Sequence, residues 1–84
     1  MATEHKQATR DRIGLRIATL RKSAGMTQEE LARRAGVDRG NLSRIEAGRY
    51  AVTLETVQAI ATALGMTVDI VDERLADLTP LKTL

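Results

Sequence analysis

Five residues that are small or carry hydrogen-bonding groups share one face of a short predicted helix: Arg39, Gly40, Asn41, Ser43 and Arg44. At about 100° per residue, this face points away from Leu42, which we expect in the core. The face is small and flat, with long donors at its edges, so it can lie close to a surface. An arginine at its centre can donate two hydrogen bonds to guanine O6 and N7. A merely solvated polar face is the alternative.

Residues for catalysis or metal binding are scarce by comparison. His5 is the only histidine, and the chain contains no cysteine. No pair of carboxylates, no nucleophile beside a base and no glycine-rich phosphate loop stands out. We therefore expect neither an enzyme nor a metal or cofactor site.

Length and charge limit the class of protein. The 84 residues suit one small domain, and with one tyrosine and no phenylalanine or tryptophan the core must be aliphatic. Residues 1–49 carry eleven basic and six acidic side chains, whereas residues 50–84 carry two basic and five acidic ones. This asymmetry favours a polyanion as the partner of the first part. The sequence shows no membrane span and no signal peptide, so we expect a cytoplasmic protein.

The elements that position the donor face are helices with clear start and stop signals. A first helix is expected from about Thr9 to Gly25, with an apolar stripe at Ile13, Ile17, Leu20 and Ala24. A second begins with the capping box of Thr27 and Glu30 and stops at Gly36.

Two more helices follow the same pattern. The third is capped by Asp38, has Leu42 and Ile45 on its inward side and stops at Gly48. The fourth is capped by Thr53 and stops at Gly65. Its predicted apolar stripe comprises Leu54, Val57, Ile60, Ala61 and Leu64.

The ends of the chain are expected to differ from this bundle. We predict a flexible segment at residues 1–8, a domain at 9–66, and a strand or helix with a tail at 67–84. Residues 67–71 alternate and are β-branched, which favours a strand, although a helix capped by Thr67 also fits. A lone strand needs a strand from a second copy, which predicts a dimer through Val68, Ile70 and Val71. The leucines that follow, at positions 75, 78, 81 and 84, are either a dimer contact or disordered.

The stretch from Ile13 to about Val71 resembles the Cro/repressor type of helix-turn-helix domain, also called the xenobiotic-response-element family. The resemblance rests on IGLRIATLR, GMTQEELARRAGV, LSRIEAGR and TLETVQAIATALGM. It implies a mainly α, lambda-repressor-like bundle of four to five helices, the third in the major groove of double-stranded DNA, and usually a homodimer on a near-palindromic site. The chain departs from the family in having Val52-Thr53 before the fourth helix, where proline often stands. Some antitoxins of the family end in a strand that pairs across the dimer.

With this resemblance the residues take specific roles. The outward face of the third helix, Arg39, Gly40, Asn41, Ser43 and Arg44, is expected to contact DNA bases. A second set is expected to contact phosphates, partly because a helix N-terminus favours an anion: Thr27, Gln28, Asp38, Arg49 and Tyr50. Alternatively, Tyr50 is the one aromatic side chain that fills space within the bundle.

Arg21 and Glu46 are expected to form a structural ion pair. Glu46 borders the core on the helical wheel, where a carboxylate needs a cation, and Arg21 borders the inward stripe of the first helix. The family typically pairs these two positions. Such a pair would fix the angle between the first and third helices.

The sequence therefore predicts a sequence-specific DNA-binding transcriptional regulator, most simply a repressor that binds its operator as a dimer. The alternative, from a different class, is an antitoxin that binds a toxin protein and autoregulates its operon. The acidic residues from Asp69 to Asp77 give some support to a protein partner.

Overall fold

The computed structural model describes residues 2–71 and contains four helices. They are α1 (Ala2–Ser23), α2 (Gln28–Ala35), α3 (Arg39–Glu46) and α4 (Leu54–Ala63). Helix α1 packs against α3, and α2 packs against both α3 and α4. The predicted mainly α bundle is confirmed for this part of the chain. The predicted leucine-rich tail and any fifth helix within residues 72–84 lie outside the described residues.

The predicted caps are present at three helix starts. The Thr27 hydroxyl accepts a hydrogen bond from the Glu30 amide at 3.0 Å, and the Thr27 amide donates to Glu30 Oε1 at 3.2 Å, which completes the capping box. Asp38 Oδ2 accepts from the Asn41 amide at 3.0 Å, and Thr53 Oγ1 accepts from the Thr56 amide at 3.2 Å. These bonds satisfy backbone donors that a helix leaves unpaired at its start.

Glycine ends the second helix as predicted. Gly36 has φ of 72°, in the left-handed region, and its amide donates to the carbonyl of Arg33. A residue with a β-carbon is strained in this conformation, so glycine allows the chain to turn sharply between α2 and α3. This turn brings the start of α3 back over α2.

The core lies where the four helices meet. Leu31, Leu42 and Ile60 are fully buried, and Ile17 and Ile45 are nearly so. Around them pack partly buried side chains, among them Ile13, Met26, Val37 and Val52. The core is aliphatic, as the composition predicts, and it fixes Leu42 and Ile45 as the inward side of α3.

The predicted start of α1 is wrong. The helix begins at Ala2, not near Thr9, so residues 2–8 of the expected flexible segment are helical. Gln7 accounts for part of the difference, because its Nε2 donates to the Gly48 carbonyl at 2.8 Å and to Asp11 Oδ1 at 2.9 Å. A contact 41 residues away in sequence holds this turn, and no local pattern reveals it.

Two other expectations differ from the structure. Leu54, predicted to lie on the apolar stripe, is 74% exposed and stands at the first residue of α4. Residues 67–71 form neither a strand nor a helix in the single chain. A strand there has no partner within residues 2–71, so pairing with a second copy stays a prediction.

Candidate nucleic-acid interface

The outward side of α3 is open to solvent. Arg39, Ser43 and Arg44 are exposed, and Gly40 and Asn41 are partly exposed. Leu42 and Ile45 on the other side are buried, so the helix is anchored along one face only. No described segment of the chain covers the five predicted base-contacting residues. They are brought together on one surface, although their contacts with bases remain untested.

Arg44 is held by two neighbours on this surface. Its Nη2 donates to Asn41 Oδ1, one helical turn earlier. Its guanidinium carbon lies 5.9 Å from the centroid of the Tyr50 ring, within range of a cation–π interaction. Arg44 is therefore oriented before any partner arrives. The spacing of Asn41 and Arg44 places them on one face in the sequence, but no local pattern joins Tyr50 to them.

The five residues predicted to contact phosphates have different surroundings. Arg49 is exposed and Tyr50 is 41% exposed, so both are free to meet a partner. The Thr27 hydroxyl and the Asp38 carboxylate accept hydrogen bonds as caps. The Asp38 side chain is an anion and has no donor for a phosphate oxygen, so only the backbone amides nearby suit that role. This side chain is the weakest member of the predicted set.

Gln28 takes part in a contact that the sequence analysis missed. Its Nε2 donates to Glu46 Oε1 at 2.9 Å, and the residue is half-buried. A side-chain amide nitrogen carries two hydrogens, so one remains available for a phosphate oxygen. Gln28 thus links the N-terminus of α2, where an anion is favoured, to the end of α3.

Arg21 and Glu46, which were expected to pair, form a bidentate ion pair. Arg21 Nε lies 2.7 Å from Glu46 Oε2, and Nη2 lies 3.1 Å from Oε1. Their side chains are only 10% and 6% exposed. Arg21 Nη1 also donates to the Met26 carbonyl at 2.8 Å. Every charged atom has a partner, and the network joins α1, the turn before α2 and the end of α3.

Gly14 is a residue whose role the sequence analysis missed. A β-carbon built there would lie 2.3 Å from the Ile45 carbonyl oxygen and 2.7 Å from that of Glu46. Helix α1 therefore crosses the backbone of α3 at a distance that only glycine allows. A glycine inside a helical pattern, which costs about 1 kcal/mol relative to alanine, was the signal available in the sequence.

The residues predicted to form a dimer are exposed in the single chain. Ile70 is 95% exposed, and Val68 and Val71 are about half exposed. The Val68 amide donates to Gln58 Oε1 at 3.1 Å, which holds the start of this segment against α4. Three apolar side chains in a row of four residues thus stand free for a partner.

The part of the chain that the structure describes offers neither a metal site nor a membrane-spanning helix. Among residues 2–71, no group of three histidine, cysteine, aspartate or glutamate side chains is placed to hold a metal ion. Within the same range, no helix has the length and apolar character to cross a membrane.

The helix-turn-helix family HTH_3 matches residues 17–71, which include α2, the turn and α3. This match covers more than half of the 84 residues. The chain belongs to the helix-turn-helix family. Within this Cro/repressor-type domain, α2 and the exposed helix α3 form the helix-turn-helix, and the family is one of DNA-binding regulators, not of enzymes.

Individual relatives agree with this assignment. The chain is similar to an immunity repressor protein of Bacillus phage phi105, with 43% identity over 67% of this chain and 39% of that protein. The antitoxin PezA of Streptococcus pneumoniae is 42% identical over 73% of this chain and 39% of that protein. The chain thus spans about two fifths of the length of either protein.

A solved structure gives the same picture of the fold. The restriction-modification controller protein C.AhdI from Aeromonas hydrophila superposes with a TM-score of 0.69 and 36% identity. The superposition covers 70% of this chain and 89% of that chain. The repressor-like helical bundle predicted from the sequence is confirmed.

Proposed function

We propose that this helix-turn-helix protein is a sequence-specific transcriptional regulator, most simply a repressor that acts by occupying its operator as a dimer. The observation that carries the proposal is the free outward side of α3, where Arg44 is already oriented by Asn41 and Tyr50. A face of this size, edged by arginines, fits the major groove, which admits an α-helix.

In this proposal α3 lies in the major groove with Arg44 directed at the base edges. Its guanidinium would donate to guanine O6 and N7, while Arg39, Asn41 and Ser43 contact neighbouring bases or phosphates. Gly40 would allow close approach. Arg49, Tyr50 and the free hydrogen of the Gln28 amide would hold the sugar-phosphate backbone, together with the backbone amides near Thr27 and Asp38.

A dimer would place two such helices on one face of the duplex. Recognition helices about 34 Å apart, one turn of DNA, would read the two halves of a near-palindromic site. The apolar residues Val68, Ile70 and Val71 are exposed and support pairing with a second copy at this segment. Occupancy of the operator is then sufficient to block transcription.

Selection of binding sites from a random pool of duplexes tests the proposal most directly. We expect a two-fold-symmetric consensus whose half-sites lie about 10 base pairs apart, centre to centre. On the selected duplex the affinity should fall steeply with salt, because phosphate contacts release counterions. No enrichment of any sequence, together with a nearly flat salt dependence, would overturn the proposal.

The dimer is tested separately by light scattering coupled to size-exclusion chromatography. We expect Ile70→Asp to convert a dimer of the 84-residue chain into a monomer, because a charge at this position opposes apolar association. Leu54→Asp is the matched control, since Leu54 is also an exposed apolar residue but stands in the first turn of α4 and does not line the groove beside Met66 and Thr67. A monomeric wild-type protein, or equal loss of dimer in both variants, would contradict the proposed interface.

The second candidate function is that of an antitoxin, which is favoured by the similarity to PezA. The chain would then bind a toxin protein and also bind the DNA of its own operon. A toxin reading frame beside the gene, whose product co-purifies with this chain and loses its toxicity, would support this function. If the gene has no neighbouring toxin and no protein co-purifies with the chain, the antitoxin function is overturned and the simple regulator is favoured.

A further inference from the structure

The unexpected N-terminal part of α1 carries two cations directly beside the predicted DNA-binding surface. Lys6 and Arg10 line a concavity of about 270 Å³ together with Tyr50, Ala51 and Val52 of the segment that follows α3. This part of α1 precedes the region that matches the helix-turn-helix family, which starts at residue 17. The family match therefore does not account for the contacts of this part of α1.

The helical pattern explains why these two side chains point there. Lys6 and Arg10 are four residues apart, so they lie on one face of α1. The same face continues as Ile13 and Ile17, which pack in the core. Where the core ends, the stripe changes from apolar to basic, and its basic side chains line the concavity together with Ile45, near the end of α3.

The position of this turn is fixed by a hydrogen bond. Gln7 Nε2 donates to the Gly48 carbonyl at 2.8 Å, which joins α1 to the loop between α3 and Tyr50. The concavity shares Tyr50 with Arg44, whose guanidinium lies over the Tyr50 ring. Arg44, the ring of Tyr50 and the two cations of α1 thus follow one another across the surface.

The charge of the concavity suits an anion. Lys6 is exposed and Arg10 is partly exposed, and no acidic residue lines the concavity. Among the described side chains, neither residue forms an ion pair. The nearby carboxylate of Asp11 accepts a hydrogen bond from Gln7 and lies outside the lining.

We propose that Lys6 and Arg10 form a second phosphate clamp, which binds the DNA backbone at the edge of the groove that α3 enters. The inference rests on the proposed DNA binding and extends it to residues outside the family match. Bases lie at the floor of the major groove and phosphates along its edges, so a cation pair beyond Tyr50 meets backbone, not bases. The clamp increases affinity for any sequence and leaves base preference unchanged.

The test uses the full chain, the duplex selected from the random pool and a scrambled duplex of the same length. In the Lys6→Gln, Arg10→Gln double variant, loss of two phosphate contacts should reduce the slope of log affinity against log salt by about 1.8. The affinity of the wild type divided by that of the variant should therefore fall by about 12-fold when salt is raised from about 50 to 200 mM. The preference for the selected duplex should stay unchanged.

The chain provides a matched control on the same helix. Arg12 and Arg16 are also exposed and four residues apart, but they line the groove between α1 and α4. Arg12→Gln with Arg16→Gln removes the same charge and should keep the wild-type slope. Lys6→Arg with Arg10→Lys retains the charge and should also keep it. Circular dichroism of each variant verifies that the helices are intact.

The outcomes separate the clamp from the proposed function. An unchanged slope in the Lys6→Gln, Arg10→Gln variant overturns the clamp alone, provided that the wild type still prefers the selected duplex. Equal reductions in this variant and in the Arg12→Gln, Arg16→Gln control also overturn it, because they indicate a general effect of net charge. Failure of the wild type to bind either duplex overturns both the clamp and the DNA-binding function.

Discussion

The two sides of α3 are held in opposite ways. On the inward side, Leu42 and Ile45 pack into the core, and the backbone contacts Gly14 of α1. This side ends in the buried Arg21–Glu46 pair. The outward side has only exposed or partly exposed residues, and its contacts are those that Asn41 and Tyr50 make with Arg44. The difference indicates that stability and partner recognition are properties of separate residues on one eight-residue helix. Substitutions on the two sides should therefore change different measurements.

The largest expected effect is on the inward side. Glu46→Ala leaves the Arg21 guanidinium buried without its carboxylate, which should lower the free energy of unfolding by about 3–5 kcal/mol. Urea denaturation followed by circular dichroism measures this change. The Arg21→Met, Glu46→Leu double variant removes both charges and should recover most of the loss. A single variant as stable as wild type would show that the pair does not hold the helices together.

On the outward side, Arg44→Ala should change recognition and leave stability alone. We expect a loss of about 1–3 kcal/mol in preference for one base pair of the selected site, because a bidentate contact to guanine disappears. Competition binding against duplexes substituted at each position measures it. Equal weakening on a scrambled duplex would instead identify Arg44 as a phosphate contact.

A pair of glycine substitutions compares the two sides directly. Gly14→Ala forces a β-carbon against carbonyl oxygens of α3 that cannot rotate away, and we expect a net destabilisation of roughly 1–2 kcal/mol after the gain in helix propensity. At Gly40 the nearest atom is a side-chain oxygen, Asp38 Oδ2 at 3.0 Å, which caps α3 and needs to shift by only a few tenths of an ångström. Gly40→Ala should therefore keep the stability of the wild type but weaken binding to the selected duplex. Thermal unfolding and affinity for the selected duplex are measured on both variants. A stable Gly14→Ala variant together with an unstable Gly40→Ala variant would contradict the comparison.

The smallest expected effect concerns Tyr50. Tyr50→Leu removes the ring beneath the Arg44 guanidinium and should reduce preference for the selected duplex by about 0.5–1 kcal/mol, the usual range of an exposed cation–π contact. Tyr50→Phe keeps the ring and should retain that preference, although it loses any bond from the hydroxyl to a phosphate. If phenylalanine were as harmful to base preference as leucine, the hydroxyl and not the ring would orient Arg44.

Local signals in the sequence were sufficient for most of the fold. The caps at Thr27, Asp38 and Thr53 were predicted because each depends on a residue three positions ahead, and periodicity was enough to place Leu42 and Ile45 inward. The Arg21–Glu46 pair followed from the cost of a carboxylate at the border of the core together with the family resemblance.

What could not be predicted depends on contacts between distant segments. The early start of α1 involves the bond from Gln7 to Gly48, and the close crossing at Gly14 depends on where the backbone of α3 lies. Gln28 was assigned to phosphate contact from the family resemblance and from its place at the start of a helix, whereas its bond to Glu46 depends on the packing of α2 against α3. Helical periodicity could not show that Leu54 is exposed, because exposure depends on where the other helices lie.

The crossing at Gly14 has a consequence for how such a domain can be re-targeted. The contact is made to main-chain oxygens, which every amino acid possesses, and not to any side chain of α3. Residues 39, 41, 43 and 44 can therefore be exchanged without changing how α3 packs against α1. A library randomised at these four positions should yield folded proteins with new operator preferences, since the scaffold beneath them stays the same.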